Sequence, residues 1–118
     1  MLQILITLYS QLLQIFVKLF VKLTGRGGGK FVRFLPKAQN YLVKNYAGNF
    51  QLQVNTTYPI EASVWLAGVY DPTTTRFLQR VLREDDVFLD IGANCGAITL
   101  VAASIIQTGK IYAFEPGP

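Results

Sequence analysis

"VFLDIGANCGAITL", Val87–Leu100, runs from a β-forming segment through a glycine-bearing turn into a helix-forming segment. Val87–Ile91 is apolar at every position except Asp90. A run apolar on both faces fits a buried parallel strand whose polar end opens toward a ligand crevice. Gly92 lets the chain turn sharply, Asn94 tolerates a left-handed backbone better than most residues, and Gly96 permits close approach of helix to strand. The backbone amides of residues 93 to 96 then open a predicted helix reaching about Gln107, with Gly109 near its C-cap. A second apolar strand, "KIYAFE" ending at Glu115, completes a β-α-β unit that is right-handed by the usual rule.

This is the layout of a nucleotide-binding corner. Glu115 lies about 20 residues past the glycines, where an acid accepts hydrogen bonds from both hydroxyls of a ribose. A bare ribose is implied, since a 2′-phosphate would be repelled. The dinucleotide fingerprint G-x-G-x-x-G falls on Gly92, Asn94 and Ala97 and matches at Gly92 alone, which disfavours NAD and leaves it as an alternative. Upstream, "GVYDPTTTRFLQRVLREDD" predicts a helix with Asp71 as N-cap and Pro72 at the first helical position. Phe77, Leu78, Val81 and Leu82 form its apolar face, and it ends near "REDD".

"FLDIGANCGAITL" together with "GKIYAFEPGP" resembles the first and second motifs of the FkbM family of S-adenosylmethionine-dependent methyltransferases, which show D-x-G-A-N-x-G followed by F-E-P. "GVYDPTTTRFLQRVLREDDVFLD" resembles that family's lead-in helix, so the likeness runs from Gly68 to the end of the chain. It implies an α/β chain holding the start of a Rossmann-like class I methyltransferase fold, with S-adenosylmethionine as cofactor. Asp90 and the loop of Gly92, Ala93, Asn94 and Gly96 would face the methionine part, Asp90 favouring its ammonium. Glu115 would hold the ribose hydroxyls, and Phe114 and Pro116 would shape the adenosine wall. Cys95 departs from the bulky aliphatic residue often found there and is read as packing. The implied reaction is O-methylation of a sugar or secondary-metabolite hydroxyl, so the expected partner is a hydroxyl-bearing small molecule; no residue is nominated as the base. The family's sheet is larger than the two strands read here. The chain is therefore expected to be the N-terminal part of such an enzyme, marginally stable and inactive by itself, with the adenine-binding acid and substrate pocket beyond Pro118.

Composition bounds the rest. With 118 residues, 51% of them hydrophobic, the chain can bury one modest core. A single cysteine and no histidine leave neither an internal disulfide nor a zinc set, so a cytoplasmic, metal-free protein is the default. Up to residue 60 the charges are Lys18, Lys22, Arg26, Lys30, Arg33, Lys37 and Lys44, with no acid; all seven Asp and Glu come later. A basic portion of this kind suits anionic lipid or nucleic acid, although a solvated face is the plainer explanation and nucleic acid is not the expected partner.

The first 23 residues, "MLQILITLYSQLLQIFVKLFVKL", predict a helix on which Gln3, Thr7, Ser10, Gln11, Gln14, Lys18 and Lys22 fall within an arc of about 120°. An interfacial helix needs that alignment and a spanning helix does not. Three unpaired glutamines would also be costly in hydrocarbon. Peripheral attachment to the membrane is preferred over packing against the remainder of the protein or a partner, and spanning comes third. A signal peptide fits poorly, because no charge precedes the apolar run and no small-x-small site follows it. A non-enzymatic membrane-associated protein is the second alternative beside an NAD-binding enzyme; the oligomeric state is left open. "TGRGGGK" at Thr24–Lys30 fails as a phosphate loop, since Thr24 stands for the first glycine, Phe31 for the Ser/Thr, and a helix precedes it. The expected organisation is a helix at 1–24, a Gly-rich linker at 25–30, a β-rich region at 31–65 containing a short β-meander over 31–55, and a partial methyltransferase domain at 66–118. The "NTT" sequon at Asn55 carries no weight without a secretory signal.

Overall fold

The computed structural model describes residues 1–36 and 38–117; Lys37, one of the N-terminal bases, and Pro118 lie outside it. The elements run α1 (Leu2–Thr24), a 3-10 helix (Gly29–Phe34), β1 (Asn40–Tyr46), β2 (Phe50–Asn55), α2 (Pro59–Ala67), α3 (Pro72–Val81), β3 (Val87–Ile91), α4 (Ala97–Ala103) and β4 (Lys110–Phe114). The chain is thus mixed α/β, with an antiparallel pair β1–β2 and a parallel pair β3–β4.

The core is built around α2. Its sequence, "PIEASVWLA", is apolar nearly all round after the first turn, and such a helix belongs in an interior. Ala62, Val64, Trp65, Leu66 and Ala67 are all buried. Tyr41 of β1 stacks on Trp65 with ring centroids 4.2 Å apart, while Leu52 and Val54 of β2, Val17 of α1, Leu78 of α3, and Ala97 and Val101 of α4 complete one apolar cluster. Both halves of the chain therefore share a single core.

The region expected to be β-rich is only partly so. Residues 29–34 form a 3-10 helix instead of a strand, which reduces the expected meander to the β1–β2 hairpin, and α2 begins inside the same region. The cause lies in the glycines after α1. A Cβ on Gly28 would stand 2.7 Å from Val17 Cγ1 and 3.0 Å from the Ala67 Cβ, so the chain presses between α1 and α2 as soon as it leaves the helix. Phe31 then packs edge-on against Phe16 and Phe20, which holds this segment coiled along α1. Within the Gly-rich segment 25–30, Gly28 alone is buried, at its contact with Val17 and Ala67, while Arg26, Gly27, Gly29 and Lys30 stay exposed.

In the hairpin, alternation buries Leu52 and Val54 and exposes Gln51 and Gln53. An extra residue bulges β1 between Val43 and Tyr46, with Asn45 at φ 56°. The predicted start of α3 is found as read. Asp71 accepts hydrogen bonds from the Thr73 and Thr74 amides, and the Thr74 amide and hydroxyl hold its carboxyl below the usual carboxylate range. Of the apolar face assigned to α3, only Leu78 is buried; Phe77 and Val81 are exposed.

α1 meets the body along its whole length. Gln3 Nε2 donates to Gln39 Oε1 (3.3 Å), the Tyr9 hydroxyl to the Phe34 carbonyl (2.9 Å), and Gln14 Nε2 to the Trp65 carbonyl (2.7 Å). Arg76 Nη2 donates to the Gly25 carbonyl just past the C-terminus. Ser10 and Val17 are the helix's buried residues. Part of the polar arc is thus turned inward, and much of the apolar surface faces out.

β3 and β4 pair in register, Val87 with Lys110 through Ile91 with Phe114. α4 covers one face, and Val87, Leu89, Ile91, Tyr112 and Phe114 stand exposed on the other. α4 stops at Ala103, a turn short of the expected Gln107, because the Gln107, Thr108 and Gly109 amides converge on the Glu84 carbonyl (2.9, 2.9 and 3.0 Å) and draw the chain toward β4. Gly109 is not a helix cap. A Cβ there would fall on the Asp86 carbonyl oxygen and lie 2.7 Å from the Asp85 carbonyl carbon, so its role is close backbone contact.

Candidate functional site

The turn after β3 places a left-handed backbone at three alternate residues, Gly92 (φ 81°), Asn94 (φ 52°) and Gly96 (φ 82°). The first two match expectation. At Gly96 the cause differs: open space surrounds the position a Cβ would take, so the backbone conformation, and not helix-to-strand proximity, calls for glycine.

The loop amides are all engaged within the motif. The Gly92 and Ala93 amides both donate to the Phe114 carbonyl (2.8 and 3.0 Å), the Gly96 amide to the Ala93 carbonyl (2.8 Å), and the Cys95 amide to Asn94 Oδ1 (2.7 Å). The Asn94 amide donates to Glu115 Oε2 at 2.7 Å. The acid read as a ribose ligand therefore also fastens the loop to the end of β4. Glu115 Oε1 meets only the Gly117 amide, at 3.4 Å, and the side chain is exposed.

Asp90 sits at the C-terminal end of β3 on the α4 side. Its Oδ2 accepts from Thr99 Oγ1 at 2.5 Å, so α4 reaches back to orient the carboxylate. Asp90 lines a small cavity of about 80 Å³ with Ile60, Tyr70, the Gly92–Cys95 turn and Ile98. Beside it, Tyr58, Glu61, Asn94, Cys95, Glu115 and Gly117 line a more open cleft of about 330 Å³. Asp90, Gly92, Ala93, Asn94 and Glu115 are thereby brought together. Gly96 stands at the N-terminus of α4 behind them, and Phe114 lies on the opposite face of the sheet beside Ile91.

The second wall of the cleft was not anticipated. Tyr58, Ile60 and Glu61 come from the start of α2, and Glu61 Oε2 accepts from the Asn55 amide at 2.6 Å, which ties that helix to the end of β2. Tyr70 comes from the loop before α3. The signal for α2 is present in "YPIEASVWLAG": Pro59 at the first helical position, an acid in the first turn and glycine after the last. Cys95 is half-buried; burial pushes its thiol up, and the negative charge of Glu61 pushes the same way against the Ala97 amide. A thiol in that state is a poor nucleophile at neutral pH, in keeping with a packing role.

Chemically, the cleft offers carboxylates on two sides, aromatic side chains at its rim and a loop with no amide left over. Comparison of the chain with protein-family models, with curated proteins and with solved structures gives no match.

Proposed function

We propose that the cleft at the ends of β3 and β4 receives the methionine and ribose parts of S-adenosylmethionine, and that the chain belongs to a Rossmann-like methyltransferase acting on a hydroxyl of a small molecule such as a sugar. The observation that carries this reading is the pairing of a closed loop with an acidic cleft. A pyrophosphate needs free backbone amides at the glycine turn, and here all five from Gly92 to Gly96 are used internally. Asp90, Glu61 and Glu115 meanwhile supply negative charge suited to an ammonium and a sulfonium, and ill suited to phosphate.

When bound, the sulfonium supplies an already activated methyl group for in-line attack by a substrate oxygen. The residues of the chain hold and orient. Asp90, fixed by Thr99, would take the ammonium; Glu115, with Oε2 bound to the loop, keeps Oε1 for a ribose hydroxyl; Glu61 adds charge from the facing wall. Because Glu115 and the Phe114 carbonyl both anchor the turn, ribose binding and loop geometry are coupled. Such positioning is the protein's main contribution to a methyl transfer.

The test is a titration of the ¹⁵N-labelled chain, followed by NMR, with S-adenosylmethionine and, separately, NAD. S-adenosylmethionine should shift the amides of Gly92–Gly96 and Gly117, NAD should leave them unchanged, and Glu115→Gln should weaken the first response about tenfold. No response to millimolar S-adenosylmethionine would overturn the reading. A response to NAD alone would replace it with the dinucleotide alternative.

A further inference from the structure

We propose that the chain docks on an anionic membrane surface through the outer face of α1, with the helix axis in the plane of the bilayer and the folded body on the water side. This goes beyond the cofactor reading and does not rest on it. α1 is long and apolar enough to cross a bilayer, yet little of it is buried. Leu5, Leu8, Leu12, Ile15, Leu19 and Leu23 are each at least half exposed. At 100° per residue they occupy one continuous sector of roughly 80°. A stripe of this kind on a folded domain marks an interaction surface.

Three observations select lipid as the occupant. The apolar sector is bounded by cations on both sides. Lys18 and Lys22 follow the same helix along one margin, and the 3-10 helix lays Lys30 and Arg33 along the other, with Lys30 Nζ 4.3 Å from the Phe20 ring centroid and Arg33 over the ring of Phe34. Residues 1–60 contain no acid, so the rim complements an anionic headgroup layer, and two copies placed face to face would bring like charges together. The apolar centre with basic margins is also the cross-section of an interfacial helix, whose long cationic side chains reach up to the headgroups.

Contacts along the length of α1 set its orientation. The helix is bonded to Gln39 near its start, to Phe34 and Trp65 at its middle and to Arg76 at its end. Entering the bilayer end-on would drag these partners into hydrocarbon or break the bonds, leaving polar groups unsatisfied. Lying flat immerses the outer sector and leaves every one of these contacts dry of lipid.

Flotation of the full chain with vesicles tests this, using phosphatidylcholine alone and phosphatidylcholine with phosphatidylglycerol. The chain should float with the anionic vesicles, release at high salt, and be extracted by alkaline carbonate. Leu12→Asp with Ile15→Asp, and separately Lys18→Gln with Lys22→Gln, should each lower binding about tenfold or more while leaving the circular dichroism spectrum and thermal transition unchanged. Resistance to carbonate would overturn the in-plane orientation in favour of a spanning helix. Failure of the wild-type chain to float would overturn the proposal, as would a vesicle-free dimer dissociated by the Leu12→Asp, Ile15→Asp pair.

Discussion

α1 and α2 are both strongly apolar helices, and they meet opposite fates. α2 buries five of its nine residues; α1 buries two of 23. Apolarity alone does not separate them. α2 lies between α1, the hairpin and the 3-10 helix, whereas only one flank of α1 is covered by the chain that follows it. A helix is buried by what later segments lay over it, and the apolar surface left outside becomes available to another phase or partner.

The contrast can be broken most directly by truncation. Leu66, fully buried on α2, should lose about 3 kcal/mol as Leu66→Ala, while Leu12→Ala on the outer face of α1 should cost no more than about 0.5 kcal/mol, both read by urea unfolding without lipid. Equal losses would mean that the outer face is covered in solution. A second comparison concerns the spacer between the helices. Gly28→Ala should destabilise by about 2 kcal/mol, because its Cβ collides with Val17 and Ala67, whereas Gly27→Ala, whose nearest neighbour would be Pro72 Cδ at 3.8 Å, should stay within about 0.5 kcal/mol. Matching values for the two would show that α1 is only loosely docked on α2.

A third comparison, confined to high pH, concerns the core beside α2. Tyr46 is 2% exposed, and burial pushes its phenol up to about 12, opposed only in part by the Tyr70 backbone. An unfolded tyrosine titrates near pH ~10, so between these values the folded chain holds the proton more tightly. The stabilisation is complete below the unfolded pKa and is lost as pH rises through about 12. Tyr46→Phe should remove that loss, and parallel wild-type and variant stability curves from neutral pH upward would show that the core beside α2 is wetter than the structure indicates.

Local chemistry was legible where it was complete in a few residues. The Asp71–Pro72 helix start, the left-handed turns at Gly92 and Asn94, and the strand pair Val87–Ile91 and Lys110–Phe114 all follow from short-range preferences, and all are found. What escaped reading depends on contacts between distant segments. The 3-10 helix follows from Gly28 wedging between Val17 and Ala67, and the early end of α4 from the Glu84 carbonyl gathering three amides. Half of the cleft was missed because Tyr58 and Glu61 sit on a helix hidden in a stretch rich in β-formers. The inward turn of Ser10 and Gln14 on α1 was equally invisible, since the arc of polar residues gives their alignment and not which side the body takes.

Gly109 has a consequence for anyone who maps this chain by saturation mutagenesis. Every side chain placed there would strike the Asp85–Asp86 backbone, so the position should tolerate almost no replacement, while lying at the end of the β-α-β unit away from Asp90 and Glu115. A tolerance map would score it alongside Gly92 and Gly96. Its intolerance reports the crossing of two backbones, and a variant there should lower the yield of folded protein without altering what the surviving molecules bind.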